Sequence, residues 1–304
     1  LMKKNKILIG TRASKLAIIY ANRAKNEISK VFSGEIELVK ITTEGDQNQK
    51  DRLSDIGGKG LFSKKIEEEL INKKIDLAIH ALKDMPSEET LGLITNCFLK
   101  RNSPEEILIT RDKKKFEELN SNSIIGTCSF RREFQFKRIR NDLEYKTIRG
   151  NVDTRISKLS KKDYDGIILS KAGIKSLNLN HLISEEFSTE KIIPSAGQGI
   201  VSIQCREDDK DIINMLSKVN DELSSISAIS ERKVLSILEG DCHTPVGVFS
   251  KLKNDDFEIT GELFSIDGKK RYFKTIKDKV SNYLNASIEL GNYIKKEAKD
   301  DYKK

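Results

Sequence analysis

Residues 6–42 read KILIGTRASKLAIIYANRAKNEISKVFSGEIELVKIT, and this stretch decides the fold. An apolar run at 6–10 stops at Gly10, the segment 14–31 carries Leu16, Ala17, Tyr20, Ala24 and Ile28 at helical spacing, and residues 35–42 read as a strand again. Strand, helix and strand in that order predict a parallel βαβ unit, with Ser14 as the helix N-cap. Further on, residues 61–73 repeat a helical stripe through Phe62, Ile66, Leu70 and Ile71. Residues 75–79 then form a short apolar strand ending at His80. Open α/β sheets bind ligands beyond the carboxyl ends of their strands, so chemistry is expected just past that strand.

A second α/β unit is predicted from about Pro104 to Ile193. It has strands at 123–126, 144–148 and 166–169 and helices starting at Ser129 and Asn151. Pro194, Gly197 and Gly199 punctuate a crossing, and the strand at 200–205 is read as a return to the first unit. From Asp221 a helix to Leu238, strands at 257–264 and 272–276, and a last helix through Leu290 and Tyr293 complete the chain. The fold class expected is α/β: two hinged doubly wound α/β domains, 1–100 with 198–218 and 104–194, plus a small C-terminal α+β domain, 221–304.

The 304 residues contain no apolar run near the ~18 that a membrane span needs, so no membrane partner is expected. Residues 7–9 are too short an apolar run for a secretory signal, and the four cysteines lack zinc or disulfide spacing. Both observations predict a cytoplasmic protein. The formal charge of +8 would suit nucleic acid, but no aromatic RNA-binding signature or recognition helix accompanies it, so no nucleic acid is expected either. The basic residues instead gather at turns, as Arg12, Lys59 and Lys64, Lys83, Arg131 and Arg132, and Arg149 and Arg155.

Those turns admit two readings each. Gly57-Gly58-Lys59-Gly60 before a helix suits an anion, though it lacks the spacing of a Walker loop and also reads as an ordinary solvated loop. In Lys83-Asp84-Met85-Pro86, proline forces an extended Met85 and leaves Asp84 at a turn tip. A carboxylate there can protonate a leaving amine and face the resulting cation, or simply form a salt bridge. His80 alone reads as a structural histidine. Arg131 and Arg132 follow the candidate cap Ser129, and Arg149 and Arg155 surround Asn151. Cations at a helix N-terminus oppose its dipole and call for an anion beside them. Cys242 sits on the turn Gly240-Asp241-Cys242-His243-Thr244-Pro245, where it is presented for a covalent bond. Inert burial is the other reading, and metal binding with His243 lacks further ligands, so no metal is expected.

Taken together, Gly10-Thr11-Arg12-Ala13-Ser14, the GGKGLF run, residues 80–86, 126–132 and 149–155, Ala196-Gly197-Gln198-Gly199 and the cysteine turn resemble the hydroxymethylbilane synthase (porphobilinogen deaminase) family over nearly the whole chain. The resemblance implies a transferase that joins four porphobilinogen molecules on a dipyrromethane cofactor thioether-linked to Cys242, with Asp84 catalytic. Lys83, Asp84, Thr127, Ser129, Arg131, Arg132, Arg149, Gly150 and Arg155 match cofactor-binding positions. Arg12, Ser14, Lys59, Phe62, Lys64, Arg149 and Arg155 match substrate-binding ones, Lys59, Phe62 and Lys64 lying in the family's active-site loop. A monomer is expected. The sequence departs from the family at Ser176, where many relatives carry an arginine, leaving Lys171 and Lys175 as replacements. Glu44, Ala81, Cys128 and Asp241 also replace commoner residues, and Asp241 puts a charge beside the thiol. The competing class is a non-enzymatic two-domain anion-binding protein, which explains the arginines but gives Asp84 and Cys242 no task.

Overall fold

The computed structural model describes residues 4–43, 60, 62–241 and 243–303. Its first sheet has the order β2-β1-β3-β10-β4, with β1 Lys6–Arg12, β2 Glu35–Ile41, β3 Leu77–Ala81, β4 Leu93–Phe98 and β10 Val201–Arg206. β1 is parallel to β2 and β3, as the βαβ pattern predicts, while β10 runs antiparallel to both β3 and β4. Period-two alternation along β1 explains why both faces are covered. Ile7 and Ile9 pack with Ala21, Ala24 and Ile28 of α1 (Lys15–Ile28), while Leu8 points to the opposite core, which contains Ile66 and Leu70 of α2 (Lys64–Ile71). Ser14 caps α1, accepting from the Ala17 amide at 3.3 Å.

The second sheet has the order β7-β6-β8-β5-β9, from β5 Glu106–Thr110, β6 Ile124–Gly126, β7 Glu144–Lys146, β8 Gly166–Ser170 and β9 Glu185–Phe187. Phe136 of α3 (Phe130–Lys137) packs on one face with Phe116 and Phe187, edge to face at 5.2 and 4.8 Å between ring centroids. Leu159 of α4 (Val152–Ser160) and Ile174 of α5 (Lys171–Ser176) cover the other. β5 is antiparallel to β8 and β9, so this sheet too is mixed. In both sheets the antiparallel strands arise where the chain crosses between sheets.

Those crossings lie side by side. Leu99 N donates to Val201 O at 3.0 Å and Asn102 N to Gly199 O at 2.8 Å. Gly199 has φ +84°, and a Cβ there would come 2.6 Å from Asn102 O, so the close approach requires glycine. After α6 (Lys210–Ser217) and α7 (Glu222–Ile237) comes the third sheet, the antiparallel meander β11 Val246–Lys253, β12 Asp256–Phe264 and β13 Arg271–Lys279. Its apolar face packs against α7 and α8 (Tyr283–Ala298) through Val234, Leu238, Leu290 and Ile294. Buried Glu231 of α7 joins this unit to the crossings. It accepts from Arg101 at 2.6 and 3.1 Å, from the Gly197 amide at 2.7 Å and from both the amide and the hydroxyl of Ser250 at 2.9 Å. No helix among the described residues is long and apolar enough to cross a membrane.

Candidate active site

β3 ends in a 3-10 turn, Leu82–Asp84, followed by an extended Met85 with φ −81° and ψ 145°, as Pro86 demands. Asp84 at the end of that turn lines a cleft of about 300 Å³ between the first two sheets, with Arg12, Ser14 and Phe62 on the same wall. The Arg12 guanidinium lies 4.1 Å from the centroid of the Phe62 ring. Lys64, the first residue of α2, is not among the cleft residues; it lines a separate surface groove beside Gly60 and Pro86. Lys59 and Cys242 lie outside the described residues, as does Glu44. His80 is the structural histidine expected, buried with its Nε2 2.9 Å from Gln204 Oε1 and its pKa lowered by burial.

The facing wall is built by two helix N-termini of the second sheet. Ser129 caps α3, accepting from Arg132 N at 3.3 Å, and its own amide donates to buried Thr127 Oγ1 at 3.2 Å; Thr127 thus shapes the turn from behind the cleft. Arg131 and Arg132 occupy the first turn and line the cleft with Ser129. Arg149, Gly150 and Arg155 do the same beside α4. Gly150 has φ +112°, and a Cβ on it would come 2.6 Å from Thr154. Its carbonyl accepts from Arg155 Nε at 2.8 Å, which fixes that arginine. Asn151 holds the N-cap position of α4, but its side chain makes no capping bond; it lines the cleft instead.

The anion that two cations at a helix N-terminus call for is the protein's own. Glu106, wholly buried at the start of β5, accepts from Arg131 Nη2 at 2.6 Å, and its Oε2 lies 2.8 Å from Arg132 Nη2. Burial by itself would raise this carboxyl, but Arg132, Arg131 and Lys83 outweigh it and hold the pKa at about 2. Lys83 shows the reverse balance: burial first, then Arg132, lower its ammonium to about 8 against the pull of Asp84 and Glu106. Burial likewise lowers Arg131. Counting Asp84 beside Lys83, two carboxylates face two guanidinium groups and an ammonium, so the cluster retains positive charge. Arg132 Nε is buried with no acceptor among the described residues. Both features leave this wall able to take further carboxylates.

Glu106 was absent from the sequence reading. The signal was there, a glutamate heading the apolar strand that follows Pro104, since a buried charge must be paired. Its partners lie 25 and 26 positions away, beyond any local pattern.

The third wall comes from the turn before β11, where Asp241, His243 and Thr244 line the cleft. Asp241 Oδ1 accepts from the amides of His243 at 2.8 Å and Thr244 at 3.2 Å, so its carboxylate organises the turn spanning position 242. Ser176 sits outside the cleft lining, donating to Ala172 O at 2.7 Å and hydrogen-bonding Tyr20, whose hydroxyl burial raises to about 12. Lys171 is held by Glu186 at 2.6 Å and does not replace the missing arginine in the cleft.

A cleft in which Asp84, Asp153 and Asp241 are outnumbered by cations, closed by a turn from a third sheet, marks the class: an α/β protein whose ligand carries several negative charges. Sequence comparison identifies which. The family model "Porphobilinogen deaminase, dipyromethane cofactor binding domain" matches residues 7–214, and "Porphobilinogen deaminase, C-terminal domain" matches 225–300. The chain is 38% identical to the porphobilinogen deaminase of Alkaliphilus metalliredigens over 296 residues, 97% of this chain and 94% of that one. It is 41% identical to that of Bacillus cereus over 266 residues, 86% of each. Among solved structures, a putative methionine-binding lipoprotein from Bacillus subtilis aligns with 72% of this chain and 92% of its own, at 12% identity and a TM-score of 0.46. The chain belongs to the porphobilinogen deaminase family. Its reaction is the deaminative condensation of four porphobilinogen molecules on a dipyrromethane primer, followed by hydrolytic release of the linear tetrapyrrole hydroxymethylbilane, and its cofactor is dipyrromethane.

Proposed function

We propose that this cleft is where the reaction occurs, with Cys242 anchoring dipyrromethane and Asp84 catalytic. The observation that carries the assignment is convergence: Asp84 from the first sheet, Arg131, Arg132, Arg149 and Arg155 from the second, and both flanks of position 242 from the turn before the third line one cavity. Each pyrrole unit brings two carboxylates, which suits a wall with surplus positive charge and an orphaned Arg132 Nε. The bound cofactor supplies the nucleophilic pyrrole carbon on which chain growth starts. Lys83, Ser129, Arg131, Arg132, Arg149, Gly150 and Arg155 then hold cofactor carboxylates, Thr127 supporting them from behind. Arg12, Ser14 and Phe62 receive porphobilinogen, with Lys59 and, from the start of α2 outside the cleft lining, Lys64 as further substrate contacts.

Asp84 holds the substrate ammonium by a charge-assisted hydrogen bond, keeps it protonated until the C–N bond breaks, and then faces the cationic pyrrole left behind. The domains proposed are 1–100 with 198–218, 104–194, and 221–304. The free thiols of Cys97, Cys128 and Cys205 support a reducing, cytoplasmic setting, and a monomer already brings all three walls together. Intact mass tests the anchor: active protein should exceed its polypeptide mass by one dipyrromethane, mapping to the Cys242 peptide, and Cys242→Ser should fold without the adduct. Active protein with an unmodified Cys242 refutes the assignment.

A further inference from the structure

The buried Glu106 cluster has a task that binding alone does not explain. Two guanidinium groups enter the same helical turn, both nearly buried, at 3% and 6% exposure, and they repel each other across a low-dielectric wall. Each is aimed at the cleft by groups behind it. Arg131 Nη1 donates to Ile193 O at 3.0 Å, Arg132 Nη1 to Ile168 O at 3.4 Å, and both reach Glu106. Glu106 is wholly buried and is not among the residues lining the cleft, so it does not itself face a ligand. It also accepts from Gln198 Nε2 at 3.1 Å, on the crossing between sheets.

We propose that Glu106 is a positioning residue, a stand-in anion that keeps Arg131 and Arg132 charged and aimed before dipyrromethane arrives. This rests on the reading that the two arginines meet cofactor carboxylates. Without Glu106 the unloaded protein holds two buried guanidinium groups with no carboxylate in contact, only Glu262 beyond Gln135 remaining on the Arg131 side, and their side chains turn away from the cleft. Once the cofactor is in place its own carboxylates supply that counter-charge, and Glu106 matters less. Glu106 and the cofactor therefore substitute for one another in stabilising the arginine pair, which an ordinary structural ion pair would not do.

The test compares unloaded protein, made in a host unable to form porphobilinogen, with the same protein loaded by adding porphobilinogen. Melting temperature and intact mass are the readouts. Glu106→Gln should lower the melting temperature of the unloaded form by on the order of 5 °C, and of the loaded form by less than half as much. Loading, followed by mass, should slow by on the order of tenfold yet go to completion. Glu106→Asp, which keeps the charge, should recover most of the unloaded stability. Equal deficits in the two forms, or a Glu106→Gln protein that folds but never loads, overturn the proposal. Should Glu106→Gln fail to fold, the double variant Glu106→Gln with Arg132→Gln should fold again, and its failure to do so also overturns it. Arg132→Gln alone checks the underlying reading. If it leaves the gain in melting temperature on loading unchanged, the arginine does not meet the cofactor; if it reduces that gain while the Glu106→Gln deficits are equal, only the stand-in role fails.

Discussion

Lys83 offers the most direct test of the cleft's electrostatics, because its ammonium is held near about 8 by burial and by Arg132. A carboxylate arriving beside it favours the charged form and raises that pKa, so anion binding is coupled to proton uptake wherever the unloaded lysine is neutral. The sign follows. Below about pH 8 the lysine is already charged and loading needs no proton, whereas above it loading weakens as pH rises. With a pKa of about 8, roughly nine-tenths of the lysine is protonated at about pH 7 and roughly one-tenth at about pH 9. That is about a tenfold loss, or about 1.4 kcal/mol. The assay is the initial rate of cofactor loading at subsaturating porphobilinogen, followed by intact mass from about pH 6.5 to 9.5. A cysteine nucleophile works against this trend, since its thiolate fraction rises over the same range. The ratio of wild type to Lys83→Gln cancels the thiol and isolates the lysine; it should be flat below about pH 7 and fall by about tenfold by about pH 9. A ratio that stays constant across the range refutes the reasoning.

Asp84→Asn keeps the shape of the turn and removes the charge, so preloaded protein should bind porphobilinogen while elongation nearly stops; Asp84→Glu should retain a small residual rate. Both are read as covalent pyrrole additions by mass, and near-normal elongation in Asp84→Asn rules out the charge-based role. At the cysteine turn, Asp241→Asn can still accept the amides of His243 and Thr244 and should load at close to the native rate, whereas Asp241→Ala loses bonds worth about 1 kcal/mol and should load about fivefold more slowly. Equal loading by the two variants would mean that the turn does not depend on that acceptor.

What the sequence made legible followed from local pattern. The helical stripe after Ser14, the extended Met85 imposed by Pro86 and the Ser129 cap all depend on neighbours within a few residues, and the structure has each of them. Strands β4, β5, β9 and β11 were not read. β9 is three residues with two glutamates, and β5 is a short run buried on both faces, neither of which carries a period-two signal. The antiparallel direction of β10 depends on where a crossing returns, which no periodicity encodes. In the site, the cations were legible because they cluster at turns beside helix starts. Their partner Glu106 was not, because a buried ion pair between distant segments leaves no spacing to read. Asp241, read as an intruding charge, has its carboxylate occupied by two backbone amides of its own turn.

The paired crossings between the first two sheets bear on how the cleft accommodates a lengthening product. A single tether lets two bodies spin about it; two strands of chain bonded side by side, at Leu99 with Val201 and Asn102 with Gly199, behave as a ribbon. Turning one sheet against the other about a single tether breaks nothing, whereas the same turn here would have to shear the hydrogen bonds that join the two crossings. If Asp84 and the arginine wall act on the growing chain as proposed, that restraint keeps the two facing each other while the product lengthens.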